Sequence, residues 1–375
     1  MQKIWINIVF CFFTLIVKSQ EFKETLRNAG FENVQVLGAN DSFVVFFEHR
    51  EFRMPYHSMQ LAKLIIDNSD AQPYTKLSFI PMYHNVPIGK YTAEGYNYSS
   101  LTQLETEAFQ THNKVLKNYR ISLRIQPEVI ARFGFYTDPF ETKFNINLNS
   151  RIYIARGLSF QTGITVPVVN NLDNQSLELR LAPSMIHYFN QARDHHFISL
   201  SLGSFYNNRY GIDFEYRHAD LNKRWSFGFA AGLTGFYWLN GLGLYNEPLD
   251  DIYLKADAEY RLPFENLSLK LTAGQFLYKD KGLRFDLVKQ YAAAEIGLFA
   301  SSTNIGTTTG FQFAFSLFPG KLYRNKKLEV RTTEEFRWEY TYNNFEPVAH
   351  DFRLGMPRLS EVLRQYNQNF INPLK

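Results

Sequence analysis

The chain has 375 residues, a formal net charge of +4 and only 20% charged residues, yet 17% are aromatic, including 23 Tyr and 35 Phe. It is long enough to bury a large core, and with no basic tail or patch this charge argues against a nucleic-acid partner. The single cysteine, Cys11, excludes a disulfide framework and any cysteine-dependent zinc or thiol chemistry.

Met1 to Gln20, MQKIWINIVFCFFTLIVKSQ, carries a lysine near its start, an apolar run from Ile8 to Val17 and the small Ser19. This predicts a secretory signal peptide over 1–19 rather than an anchor, because the run is shorter than the roughly 20 residues a bilayer requires. Cys11 then leaves with the leader, and bulky Phe10 before it disfavours a lipoprotein site. Residues 20–70 predict a small α/β module. It has a short helix from Glu21 to Asn28, strands at Asn33–Leu37 and Ser42–His49 around a Gly38-Ala39-Asn40-Asp41 turn, and a helix from His57 to Asp67 whose Met59, Ala62 and Ile66 form a core stripe. Residues 71–118, with a strand at Leu77–Tyr83 and a helix near Leu101–Asn113, read as a connecting region.

From 119 to 319 the texture becomes alternating segments of roughly 9 to 13 residues separated by Asn, Asp, Gly and Pro clusters, long enough for strands that cross a bilayer. In KFNINLNSRIYI, Phe144, Ile146, Leu148, Ile152 and Ile154 share one face, and Lys143, Asn145, Asn147, Asn149 and Arg151 the other. Ile252, Leu254, Ala256, Ala258 and Tyr260 oppose Tyr253, Lys255, Asp257, Glu259 and Arg261 in the same way. A soluble sandwich and a membrane barrel both use such alternation. Segment length and rings near segment ends, such as Tyr136, Tyr188, Tyr237, Trp238 and Tyr278, favour an all-β transmembrane barrel of about 12 antiparallel strands in the outer membrane, its apolar face meeting lipid. Residues 320–375 read as a periplasmic C-terminal tail.

A charge facing lipid at mid-depth costs about 2 to 4 kcal/mol for Arg or Lys, so the charged parity is expected to face the lumen. These candidates are Arg132, Lys143, Arg151, Arg180, Asp213, Glu215, Arg217, Lys255, Asp257, Glu259, Arg261, Lys270, Arg284, Asp286 and Glu295. They either pair with one another or form a polar track for a hydrated solute, and the mixture of signs argues against strong ion selectivity. No catalytic constellation emerges. His195-His196 sits in a turn without zincin spacing, and Gly241-Leu242-Gly243 opens no helix, so neither a metal site nor a dinucleotide fingerprint is predicted. No metal, cofactor or enzymatic activity is expected.

Three stretches resemble YjbH-type proteins: LRNAGFENVQVLG with VVFFEHREFRMPYHSMQLAKLI; LKLTAGQFLYKDKGLRFDLVKQYAAAEIGLFASST, with Gly274, Gly282, Asp286 and Gly297; and TTGFQFAFSLFPGK. The resemblance implies an outer-membrane β-barrel associated with exopolysaccharide or capsule export. Its expected partners are outer-membrane lipids, surface polysaccharide, an outer-membrane lipoprotein and periplasmic export proteins. The module would lie in the periplasm as a docking surface, with Glu48, Arg50 and Arg53 at its strand exit as partner-docking candidates. Family members are often longer, with more barrel and more modules. A general outer-membrane channel, or a structural barrel of another secretion system, is the alternative; a rim-active outer-membrane enzyme is less favoured.

Overall fold

The computed structural model describes residues 23–39, 42–69, 76–112, 118–133, 140–240, 243–317, 320–342 and 347–372. The expected leader over 1–19, with Cys11, lies outside them. The structure is mostly β-sheet, and no helix among the described residues is long and apolar enough to cross a membrane.

The N-terminal module begins with a helical segment at 23–28, then β1 (Glu32–Ala39) and β2 (Ser42–Glu48), an antiparallel pair. Helix α1 (Pro55–Asp67) starts two residues before the expected position because Pro55, whose fixed φ suits the first helical position, opens it. It leads to β3 (Lys76–Tyr83), which lies parallel to β2. Parallel neighbours need such a crossover. Short strands β4 (Val86–Pro87), β5 (Lys90–Thr92) and β6 (Tyr98–Ser99) follow, then α2 (Gln103–His112). Met59, Ala62 and Ile66 pack against Val45, Phe47, Phe79 and Tyr91, all buried. The expected connecting region 71–118 is therefore corrected: β3 to β6 complete the module's own sheet, because a two-stranded sheet could not cover the apolar stripe of α1.

The second sheet runs through β7 (Ile121–Phe133), β8 (Phe140–Ala155), β9 (Leu158–Asn170), the two-residue β10 (Arg180–Leu181), β11 (Met185–Arg193), β12 (His196–Phe205), β13 (Arg209–Ala219) and β14 (Trp225–Asn240). It continues with the short β15 (Gly243–Asn246), then β16 (Asp251–Arg261), β17 (Leu267–Gln275), β18 (Lys281–Gln290), β19 (Ala294–Thr303) and β20 (Thr307–Phe315), and ends with β21 (Lys321–Arg324), β22 (Leu328–Thr332) and β23 (Phe336–Tyr342). Neighbours from β7 to β20 pair antiparallel, and β23 pairs antiparallel with β20. β22 lies parallel to β7, from Leu328 opposite Ile121 to Thr332 opposite Ile125. Two expectations change here. The pairing is not wholly antiparallel. Residues 320–342 are not a tail outside the sheet but its last strands, since Phe336, Trp338 and Tyr340 pack beside Phe311, Phe313 and Phe315 on the outer face.

Along each long strand side chains alternate between two environments, as the period of two requires. Leu254 is 51% exposed and Leu298 59%, whereas Asp213 and Glu295 are 0% and 1% exposed. Apolar groups cover the outside and charged groups are enclosed, the reverse of a soluble core.

Residues 347–372 run along the inner face. Phe352, Leu354 and Met356 pack against Met185, Phe205 and Tyr253. Helix α3 (Leu359–Tyr366) follows, with Glu361 accepting the Arg358 N–H at 2.8 Å to close its first turn. Its Leu359 and Leu363 join Phe189, Phe197 and Leu221 of the strand ends with Val86 and Ile88 of the module. The last turn, α4 (Gln368–Ile371), places Ile371 in the core of the module itself.

Candidate functional site: the charged interior

Parity decides which side chains turn inward, and the strap formed by residues 347–372 decides what most of them meet. In the middle of the sheet, Arg358 of the strap reaches Asp213 at 2.5 Å and Glu215 at 2.9 Å, while the Leu359 N–H donates to Glu215 at 2.9 Å. The Tyr253 hydroxyl donates to Asp213. Lys255 pairs with Asp351, and Arg217 with Asp257 while also donating to Ser226. Toward the module, Arg364 binds Glu259 at 2.6 Å and Glu295 at 2.9 Å. Glu295 also takes Arg53 at 2.9 Å and Arg337 at 3.1 Å, so one carboxylate joins the module, the wall and the strap. Arg261 donates to Gln290 and to the Arg364 carbonyl.

On the arc away from the strap, Arg284 holds Asp286 at 2.9 Å and Glu339 at 2.8 Å, its guanidinium lying over Phe299. Lys270 stands opposite Asp286 in register. Arg151 is buried with Glu334 at 3.5 Å and Gln161 at 3.3 Å. Lys143 pairs with Asp173 at 2.8 Å, and half-buried Arg180 donates to Asn145 at 3.2 Å. Arg132 alone of the fifteen candidates is largely exposed, at the end of β7 beside Glu141. The hairpin charges do not pair across their hairpin: Arg284 and Asp286 pair along β18, and Glu295 pairs elsewhere.

Glu48, Arg50 and Arg53 are not directed outward to a partner, which corrects the expected docking role. Glu48 is 2% exposed and accepts from the Asn85 N–H at 2.9 Å and the Tyr119 hydroxyl at 2.6 Å. Arg50 binds Glu32 and lies 3.6 Å from Glu334, and Arg53 binds Glu295 and Glu335. A buried cation needs a carboxylate, and the nearest ones belong to the second sheet and to β1. These residues clasp the module to the strands.

Sequence reasoning missed Glu334, Glu335, Arg337 and Glu339 on the wall and Asp351, Arg358 and Arg364 on the strap. For β23 a signal existed: in FRWEYTY, aromatic residues alternate with Arg337, Glu339 and Thr341, the same pattern as the earlier strands. The strap carries no such periodicity.

Two histidines where the module meets the strands tune its pH response. His49 stacks on Phe31 with ring centres 4.3 Å apart, and burial, aided by the nearby Arg331 charge, lowers its pKa to about 3. Burial and the neighbouring His187 lower His84 as well. The unfolded chain takes up these protons near pH 6.5 and the folded one refuses them. Their stabilisation is therefore complete above about pH 6.5 and declines as pH falls, for His49 until about pH 3, by about 1.4 kcal/mol per unit per histidine. Thermal melts of the full chain between pH 7 and pH 4 should show this slope, and His84→Asn should flatten it.

A sheet that is apolar outside and charged inside, its interior bridged by the chain's own strap and braced by an α/β module, defines a class of β-rich protein. Within that class the chain belongs to the YjbH family, described as Exopolysaccharide biosynthesis protein YbjH, whose profile matches residues 16–312. β21 to β23 and the strap follow the matched span. A comparison with curated proteins finds no match.

Proposed function

We propose that this protein is an outer-membrane β-barrel component of exopolysaccharide export or assembly, non-enzymatic, with its α/β module in the periplasm. The opposition of faces carries the reading. Leu148, Leu200, Leu202, Leu254, Phe285 and Leu298 are all more than two-fifths exposed on the outside, exposed apolar groups of the kind that mark a membrane or protein contact when they adjoin, and the charges lie opposite. β8 and β14 have 16 residues each, ample for a tilted crossing that needs about 9 to 11.

The return of the pairing path to β7 supports a closed barrel, since an edge open to lipid would strand backbone groups. Such barrels have short turns on the periplasmic side. The module sits at the short-turn end: the Gly157 N–H, in the tight turn between β8 and β9, donates to the His84 carbonyl at 2.9 Å. The strap across the interior favours an assembly or export component over a general open channel.

Single-cysteine labelling in lipid vesicles, in a Cys11→Ser background, tests the placement. Cysteine at Leu254 or Leu298 should react with membrane-soluble reagents only, and cysteine at Glu265, on an exposed turn, with water-soluble ones. Equal labelling at all three positions rejects the barrel. In cells, deletion should leave polymer synthesis intact and reduce its appearance at the surface; loss of synthesis itself would favour an enzyme.

A further inference from the structure

The sheet returns to β7 along only part of that strand. β22 meets β7 from Ile121 to Ile125, and the Thr333 N–H extends the contact to the Ile125 carbonyl at 2.9 Å. Beyond it, among the described residues, β7 is paired on its β8 side and β23 on its β20 side, with no register linking 126–133 to 336–342. We infer that this seam is a lateral portal for an anionic amphiphile, whose phosphate-bearing head enters the interior while its acyl chains stay outside. The inference rests on the outer-membrane placement proposed above.

The sequence supplies a cause for the gap. Pro127 brings no N–H to a ladder. On the other strand Glu334 and Glu335 both turn inward, to Arg151 and to Arg53 and Arg337, which two successive residues of a regular strand cannot do. Burial records the result: Ile121 to Arg124 alternate between exposed and buried, whereas 125–131 and 337–341 are all half-buried. Here the two strands meet through rings, Phe133 against Tyr340 with centres 5.1 Å apart.

The seam leads to a cavity of about 360 Å3, bounded by the strap and by strands from β13 round to β20, β23 and β7. On β16 to β19 its lining residues alternate, as Lys255 and Asp257 or Arg284 and Asp286 do, because a paired strand shows it one face. β7 lines it with every residue from 126 to 131, and the last hairpin with every residue from 333 to 339. A cavity that touches both faces of two strands reaches the edges between them. β13 and β14 also contribute neighbouring residues, but an unbroken ladder from Arg209 to Ala219 closes the wall there. Unpaired backbone at membrane depth is tolerated where it lines such a cavity.

Charge selects the head. Arg353 of the strap lines the cavity and donates to the Arg337 carbonyl of β23, which places it at the seam. Neither Arg353 nor Lys270, farther round the wall, has a carboxylate within 4.0 Å among the described residues. Glu339 and Glu128, which share the cavity, are engaged by Arg284 at 2.8 Å and by Asn145 at 2.9 Å. An enclosed cation without an anion is costly, so an anionic head is favoured over a neutral one. Outside the seam Phe133, Phe311 and Tyr342 are 44%, 40% and 62% exposed, a flank on which acyl chains can lie. A water-soluble anion would meet the cations and leave that flank uncovered.

The test uses the full chain, stripped of lipid in detergent and titrated by native mass spectrometry with phosphatidylglycerol, with phosphatidylcholine of the same chains, and with glycerol 3-phosphate. One phosphatidylglycerol should bind saturably and about tenfold more tightly than phosphatidylcholine, and glycerol 3-phosphate should not displace it. Arg353→Gln, which keeps a donor for the Arg337 carbonyl, should weaken that binding about tenfold, and Arg353→Lys should retain most of it, with the heat-dependent gel mobility of the folded chain unchanged in both. In a Cys11→Ser background, cysteines at Phe133 and Tyr340 joined by a bis-maleimide with a reducible linker should block loading, and reduction should restore it. Equal binding of the two lipids, displacement by glycerol 3-phosphate, indifference to Arg353→Gln, loading through the joined seam, or a dimer in which a second copy covers the seam each overturns the inference. If binding fails while cysteine at Leu254 stays shielded by lipid, the portal alone falls; if shielding is lost, the barrel reading falls with it.

Discussion

Glu295→Ala should destabilise the folded chain by about 3 to 5 kcal/mol, the usual cost of removing one partner from a buried ion network. Glu295 is 1% exposed and holds Arg53, Arg364 and Arg337 within 3.1 Å. Without its carboxylate, Arg53 keeps Glu335 at 2.7 Å and Arg364 keeps Glu259, but three guanidinium groups then share a site with less compensating charge. The loss falls on the joint between module, strap and wall. Heat-dependent gel mobility should shift to lower temperature, and a protease should reach the module first. Glu295→Gln keeps the shape and some acceptor capacity, so it should lose less. Equal stability of wild type and Glu295→Ala would show that the joint is not formed as described.

Arg358→Ala should release the strap. Its guanidinium serves Asp213 and Glu215, two carboxylates on the same face of β13, both more than nine-tenths buried. Removing it leaves like charges side by side in a low-dielectric site, again about 3 to 5 kcal/mol. Here the loss concerns the strap's seat rather than the module. A cysteine at Ser360, buried in the intact chain, should become reactive to water-soluble maleimide, while the shielding of Leu254 persists. Arg358→Lys should restore only part of the seat, because an ammonium lacks the planar fork that spans two carboxylates. Adding Asp213→Asn and Glu215→Gln to Arg358→Ala should recover stability, since the uncompensated charges are then gone.

Much of this architecture is legible in the sequence because it is local. Alternation in KFNINLNSRIYI assigns Ile146 and Asn147 to opposite faces whatever the neighbouring strand is, and fourteen of the fifteen charged candidates are buried or half-buried in the structure. Arg132 departs from it because β7 ends there and its side chain reaches past the sheet to water. The strands and helix of the module over 20–70 are legible through turn signals and the stripe of α1, and so is the strand at Leu77–Tyr83, but nothing local in KLSFIPMY, buried on both faces, shows that it pairs with β2 as part of the same sheet. Glu48, Arg50 and Arg53 looked like surface charge at a strand exit, and nothing local in EHREFR indicates the carboxylates that enclose them.

By itself, then, the sequence determined the strands, the outward apolar face and the inward charge, because side-chain direction along a strand follows from a backbone period of two. Only the tertiary structure decided which charges meet, where the pairing path returns to β7, and what occupies the interior. Arg358 and Asp213, or Arg53 and Glu295, lie far apart in the chain and come together only once the sheet has rolled around the strap. Ion pairing depends on distances of a few ångströms that no local period encodes, so the cavity left beside the strap belongs wholly to the fold.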